Sequence, residues 1–425
     1  MTEGAGRTIA RTSSKPDCRA ASGEKNVGFR TYTCPISRRC GGCEWLAVPY
    51  PIQLRRKQEA MEELYSPVCE ADGCRLGRIH GMEEPVRFRH KMASPYAPGT
   101  KGRVRSGFYE VGTHRIVACR DCLVEDHCGR GVLNDLARAA ERLRIPAYQE
   151  DQGTGVLRNA VVRSGHATKE VLLTIVTNGP QLPHARRLAR MLKEAHPELT
   201  SIVQNVNDRR TNAILGRSSV TLLGSGVMHD ELLGCRFEVG PTSFYQTNPA
   251  QTEVLYGLAI EAAGLRGGER MLDAYCGTGT IGICAAHAAR KAGVEGVRIL
   301  GVEQVGNAVD CARRNAGENG LSTSCDFVRA DATSYMRCLR ERGDARFDVV
   351  MMDPPRSGST PEFISAACAL EPRAVVYVSC NPQTQLRDLE EFRRHGWHAS
   401  RIELVDMFPH TKHVETVVLM SRVDR

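Results

Sequence analysis

The chain has 425 residues, 41% hydrophobic and 25% charged, the profile of a soluble protein with a large buried core and two or three domains. It holds no apolar run of the roughly 18 residues that would cross a bilayer, so no membrane is expected as a partner. Lys and Arg number 57 against 49 for Asp and Glu, and a net charge of +8 is too mild to establish nucleic-acid binding by itself.

Residues 1–30, opening MTEGAGRTIARTSSKPD, are polar and lack the apolar stretch of a secretory signal, so a disordered polar tail is expected there. Seventeen cysteines without an export signal are expected to stay reduced in the cytoplasm. Cys235, Cys284, Cys311, Cys338 and Cys368 read as small buried hydrophobes. Cys34, Cys40 and Cys43, in CPISRRCGGCEW, do not. A four-thiolate site would need one more ligand, and Cys119, Cys122 and Cys128 are the candidates. Structural zinc prefers closely paired cysteines, whereas three thiolates in one loop with a distant fourth fit a 4Fe-4S cluster better.

Residues 52–65 have helical composition, with Ile52, Leu54, Met61 and Leu64 apolar. Short β-type runs with Gly and Pro turns follow. Residues 87–115 hold seven Lys or Arg against one acid, Glu110, with Phe88, Tyr96, Phe108 and Tyr109 interleaved. Basic side chains hold phosphates and aromatic rings stack unpaired bases, so an RNA contact is expected here, extended by LRRKQ at 54–58; a solvated hairpin face is the alternative. From about residue 130 to 240 helices (132–143, 185–195) alternate with strands (170–177, 200–207).

Beyond about residue 250 apolar strands and helices alternate regularly, which predicts a doubly wound α/β domain with a parallel sheet buried on both faces. The expected division is a tail at 1–30, a cysteine-cluster and RNA-binding α+β region at 31–240, and a Rossmann-like domain at 241–425.

The stretch LDAYCGTGTIG carries Gly277, Gly279 and Gly282 at G-x-G-x-x-G spacing, after a strand and before a helix. That pattern serves NAD and S-adenosylmethionine alike. NAD brings a pyrophosphate to the helix N-terminus. Asp273, at the strand end, would repel it and suits a cationic amino acid moiety instead. Glu303, ending the next strand, is placed to accept from ribose hydroxyls of either cofactor.

Asp353-Pro354-Pro355 closes the buried strand FDVVMM and makes a rigid loop at the sheet's carboxyl edge, where ligands bind. Methyltransferases acting on exocyclic amino groups usually follow the prolines with an aromatic residue. Arg356 stands there, so another target is expected. Cys380 ends the next apolar strand at the same edge, with a polar QTQLRD loop after it, as a nucleophile would. Glu415 starts a final strand after His410 and His413, which makes it a candidate base.

Together DAYCGTGTIG, MDPPRSG, SCNPQTQLRDL and FPHTKHVE resemble the RNA 5-methyluridine methyltransferase family, from about residue 34 to the end. The resemblance implies transfer of a methyl group from S-adenosylmethionine to uracil C5. It assigns Cys380 as the nucleophile that adds to C6, and Glu415 as the base that takes the C5 proton so that the thiolate can leave. It gives Gln246, Tyr275, Glu303 and Asp353 as cofactor contacts, with Thr280 and Asp331 beside them. It implies a 4Fe-4S cluster on Cys34, Cys40, Cys43 and Cys122, structural or RNA-docking rather than redox-active. Relatives often carry Arg-Asn-Lys where Arg89-His90-Lys91 stands here. Many also carry an N-terminal β-barrel, for which the residues before Cys34 are too few. Members with the cysteine pattern act mostly on 23S rRNA, so rRNA is expected ahead of tRNA, with no obligate protein partner. The alternatives are a non-catalytic iron–sulfur RNA-binding protein, disfavoured by the presence of Cys380 and Glu415, and an NAD-dependent oxidoreductase, which rests on the glycines alone.

Overall fold

The computed structural model describes residues 30–342 and 346–422; the expected tail, apart from Arg30, lies outside them. Residues 270–422 build most of an eight-stranded sheet. From edge to edge it runs Arg75–Leu76, Trp397–Val405, Glu415–Arg422, Ala374–Ser379, Val349–Met352, Arg270–Ala274, Arg298–Glu303 and Cys325–Arg329. Five of these strands, from Ala374–Ser379 to Cys325–Arg329, are mutually parallel, and Glu415–Arg422 is wedged antiparallel between two neighbours. Alternate residues feed two cores. Met271, Met351, Val376 and Val417 pack on one side with Leu255 and Ile283, while Leu272, Val350, Tyr377 and Val418 pack on the other with Phe363 and Leu389. This two-sided burial is why the strands read as continuous apolar runs.

The chain leaves Arg270–Ala274 toward one edge and later returns on its other side at Val349–Met352. That reversal opens a crevice at the strands' carboxyl ends. No described helix is long and apolar enough to cross a membrane.

A seven-stranded sheet occupies the middle of the chain, in the order Ile116–Ala118, Val104–Tyr109, Lys91–Pro98, Leu157–Ser164, Val171–Thr177, Leu199–Val206, Ser218–Leu223. Helices His127–Leu143 and Ala185–Ala195 cover it through Leu133, Leu136, Leu188 and Leu192.

Two segments expected in the 31–240 region sit on the other sheet. The hairpin Met228–Leu232/Cys235–Val239 packs its apolar side chains among those of Leu255, Ile283 and Val309. The helix Tyr50–Asp72 places Tyr65 and Val68 against Phe392 and Trp397, and Arg75–Leu76 pairs with Arg401–Ile402. This helix runs past both ends of the expected 52–65, straight through Pro67. Pro67 cannot donate to Glu63 O, and the Ser66 hydroxyl does so instead at 3.0 Å. The polar stretch after Cys380, expected as a loop, is the helix Pro382–Arg394.

Candidate active site

The glycine turn is built by close approach. Gly279 has φ 78°, and a Cβ there would stand 2.8 Å from the Phe327 ring. A Cβ at Gly282 would stand 2.8 Å from Asp273 Oδ2. Asp273 itself does not face the cofactor crevice as expected. It is 1% exposed and Oδ2 accepts the Gly282 N–H at 3.0 Å, so it ties the turn to the strand from beneath. Burial pushes its carboxyl up to about 7. The reason is steric: with only hydrogen at Gly282, the short carboxylate reaches the first turn of the helix and satisfies one of its free N–H groups. Cys276 is buried too, and burial raises its thiol well above the ordinary range, as suits a packing residue.

Of the expected cofactor residues, Tyr275, Thr280 and Glu303 lie on this turn or bond to it. Glu303 Oε2 accepts the Gly277 N–H at 3.2 Å and Oε1 the Val305 N–H at 2.8 Å, which fixes a carboxylate at the strand's end. Tyr275, at φ 62°, packs its ring 5.3 Å from Phe363, and its hydroxyl meets Ser359 Oγ at 3.1 Å. Thr280 opens the helix Thr280–Lys291 and lies 3.4 Å from the Tyr256 hydroxyl. Gln246 is half-buried two residues after Phe244, whose carbonyl accepts from Thr278 Oγ1 at 3.5 Å. Asp331 is exposed and accepts the Ser334 N–H at 2.8 Å, in the manner of a helix N-cap.

Cys380 and Glu415 are brought together by register. Ser379 pairs with Thr416 across the antiparallel strands, so the residues one step further out, Cys380 and Glu415, share the same edge. Asp353 reaches that edge from the neighbouring strand, where Met352 pairs with Tyr377. Burial, then the Glu415 and Asp353 charges, push the Cys380 thiol up to about 11, while Arg356 opposes the rise. Burial and Asp353 push Glu415 up to about 8, again against Arg356. Asp353 opens partly to the crevice, yet its carboxyl is enclosed enough to rise to about 7. The two loops are joined: Asn381 Nδ2 and Thr384 Oγ1 both donate to Arg356 O, at 3.0 and 3.2 Å. Beneath Glu415, Thr416 Oγ1 and the Tyr65 hydroxyl both donate to Gln385 Oε1, at 2.7 and 2.6 Å.

The two histidines before Glu415 do not face it together. His410 is buried, with Nε2 2.8 Å from Pro85 O and Nδ1 3.1 Å from Gln53 Nε2. Since Pro85 O can only accept, the Nε2–H tautomer is assigned.

Cys34, Cys40, Cys43 and Cys122 line one cavity of about 410 Å³, together with Arg89, Lys91, Phe108 and Cys119. After burial, the charges of Cys122 and Cys34 raise Cys40, and those of Cys122, Cys40 and Cys34 raise Cys43. Cys128 points elsewhere, donating to Glu198 Oε1 at 2.9 Å. Cys119 is buried and donates to Asp121 O at 3.2 Å. Among the described residues no three cysteine sulfurs lie within 4.8 Å of one another.

The expected RNA face is corrected in part. Phe88 and Tyr96 are core residues, and the Tyr96 hydroxyl donates to Leu133 O at 2.8 Å. Phe108 is half-buried under the Arg130 guanidinium at 4.8 Å. Of the four aromatic residues only Tyr109 is exposed. The helix His127–Leu143 covers one face of these strands, so Tyr96 turns inward. Arg87 is held by Asp121, whereas Lys101, Arg103 and Arg105 are exposed. Lys57, read as surface, is 1% exposed and bonded to Asp406. Its place was signalled by Tyr50, Gln53 and Lys57, at i, i+3 and i+7 on one helical face, all buried.

Residues 234–423 match the tRNA (uracil-5-)-methyltransferase family. An RNA methyltransferase of Staphylococcus aureus is 37% identical over 388 residues, covering 91% of this chain and 83% of the relative. One from Halalkalibacterium halodurans is 36% identical over 91% of this chain and 82% of the relative. The crystal structure of Pyrococcus abyssi tRNA (uracil-54, C5)-methyltransferase in complex with S-adenosyl-L-homocysteine superposes with a TM-score of 0.70 and 25% identity, covering 89% of this chain and 85% of that one. Fold and relatives define the class, an S-adenosylmethionine-dependent RNA methyltransferase. Within that class the chain belongs to the tRNA (uracil-5-)-methyltransferase family, whose reaction is methylation of uracil at C5 in RNA.

Proposed function

We propose that the protein methylates a uridine of 23S rRNA in the cytoplasm through a covalent adduct on Cys380, resolved by Glu415. The observation that carries this reading is the register pairing Ser379 with Thr416, which brings thiol and carboxyl to one edge beside Asp353. The Cys380 thiolate adds to C6, breaking the C5–C6 double bond and making C5 nucleophilic. S-adenosylmethionine, when bound, supplies the methyl group that C5 takes. Glu415 then removes the proton left on C5. The electron pair reforms the double bond and expels the thiolate. Asp353 contacts the cofactor and also holds the uracil edge. Gln246, Tyr275, Thr280, Glu303 and Asp331 contact the cofactor around the glycine turn. A uridine in folded RNA must be extruded to reach this crevice.

Cys34, Cys40, Cys43 and Cys122 would hold a 4Fe-4S cluster. In support, the four thiols line one cavity. The cluster has a structural or RNA-docking part, since the reaction has its nucleophile, base and donor without it. rRNA is favoured by the cysteine pattern. tRNA is the second reading, favoured by the substrate named for the Pyrococcus abyssi relative.

The test uses RNA carrying 5-fluorouridine, whose fluorine cannot leave as a proton. Wild-type protein should form an adduct stable to denaturing electrophoresis, and Cys380→Ala should form none. An adduct on Cys380→Ala would overturn the assignment of the nucleophile.

A further inference from the structure

The strands Trp397–Val405 and Glu415–Arg422 are paired from Val405 opposite Glu415, so residues 406–414 form the loop that delivers Glu415 to the crevice. The inside of that loop is filled by a side chain from the far end of the sequence. Lys57 Nζ reaches Asp406 Oδ1 at 2.5 Å, Phe408 O at 3.2 Å and His413 O at 2.9 Å. An ammonium carries three hydrogens, and here three acceptors of one loop take them. The same helix grips the loop twice more. The Tyr50 hydroxyl donates to Asp406 Oδ2 at 2.7 Å. Gln53 Oε1 accepts the His410 N–H at 2.9 Å. His410 has φ 65°, a conformation that side chains other than glycine keep only where their surroundings fix them. The cysteine loop is fastened at the same point, with the Trp45 N–H donating to His410 O at 3.0 Å.

We propose that Lys57, seconded by Tyr50 and Gln53, is a positioning residue for proton removal: by closing the 406–414 loop it sets where Glu415 stands, without touching substrate. The inference rests on the roles given above to Cys380 and Glu415. It separates the two steps, because the Cys380 loop is held by other partners. Asn381 and Thr384 bond Arg356 O, and Ser379 Oγ accepts the Asn381 N–H at 3.1 Å. None of these atoms belongs to the 406–414 loop. Loosening the loop should therefore slow the resolution of the adduct while leaving its formation intact.

The experiment compares Lys57→Met and Tyr50→Phe with the wild type in single-turnover reactions. One arm follows adduct formation on 5-fluorouridine RNA. The other follows release of methylated product from ordinary RNA, with mass spectrometry of any trapped adduct. For Lys57→Met, formation should stay within about 2-fold of wild type, while release falls by at least about 10-fold and the trapped adduct carries the methyl group; small displacements of catalytic groups cost this much or more. Tyr50→Phe, which deletes one hydrogen bond, should shift the same ratio in the same direction, and it decides the matter if Lys57→Met does not fold. Release at the wild-type rate would overturn the proposal. So would equal slowing of both steps, which marks a merely structural role. A wild-type protein that forms no fluorouridine adduct would remove the Cys380 reading, and this inference with it.

Discussion

At the edge of the sheet three acidic groups crowd one another. Burial and the neighbouring Asp353 hold Glu415 up at about 8, and burial with both carboxyls holds Cys380 at about 11. A base works as its anion and a nucleophile as its thiolate, so the active fraction of each grows as pH rises. Single-turnover methylation should therefore accelerate from pH 7 to 9. Arg356→Ala should move the midpoint upward, since the guanidinium lowers both groups. A rate constant flat over that range would contradict the assignment. Cys380, Glu415 and Asp353 were legible because each ends or starts an apolar strand, and strand ends on one side of a parallel sheet share an edge. Asp273 was legible as a position but not as a direction. Sequence places its carboxyl at the strand end; only the missing Cβ of Gly282 explains why it turns under the loop.

Among the elements, the short cysteine helix Ser37–Cys40 and the loop holding Cys122 approach each other across the cavity. Cys122→Ser should abolish brown absorbance near 400 nm and bound iron in anaerobically purified protein. Cys128→Ser should keep both, because its thiol bonds Glu198 away from the cavity. Stoichiometric zinc in place of iron would count against the cluster. The helix Ala185–Ala195 was read to the residue, whereas His127–Leu143 starts five residues before the expected 132. Residues 52–65 were read as helical with LRRKQ at 54–58 on the surface, and the structure turns Lys57 inward beside the buried Gln53. Periodicity reports where apolar residues fall, and this face buries polar ones that find partners in a loop more than three hundred residues later. Pro382–Arg394 was missed for a related reason: its buried face includes Gln385 and Asp388, whose partners Tyr65, Tyr377 and Ser359 lie on other elements. The RNA face was misread in part: its charge pattern was visible, but the inward turn of Tyr96 depends on a helix that packs over the strands.

For the molecule as a whole, the doubly wound topology followed from the alternation of strand and helix, while its closure did not. The antiparallel insertion of Glu415–Arg422 and the added strand Arg75–Leu76 depend on long-range pairing that no local pattern encodes. Residues 241–425 expressed alone should lack the cover that Tyr50–Asp72 gives to Trp397 and Phe392, and aggregate. Coexpression of residues 30–240 should restore soluble protein, as measured by sedimentation of the lysate. Soluble, monodisperse 241–425 would contradict this. The helix also carries a consequence for biosynthesis. It leaves the ribosome early, yet its docking sites on the last two strands are translated last. During that interval its docking face stays bare, a period of exposure to chaperones and proteases set by the speed of translation rather than by the stability of the finished enzyme.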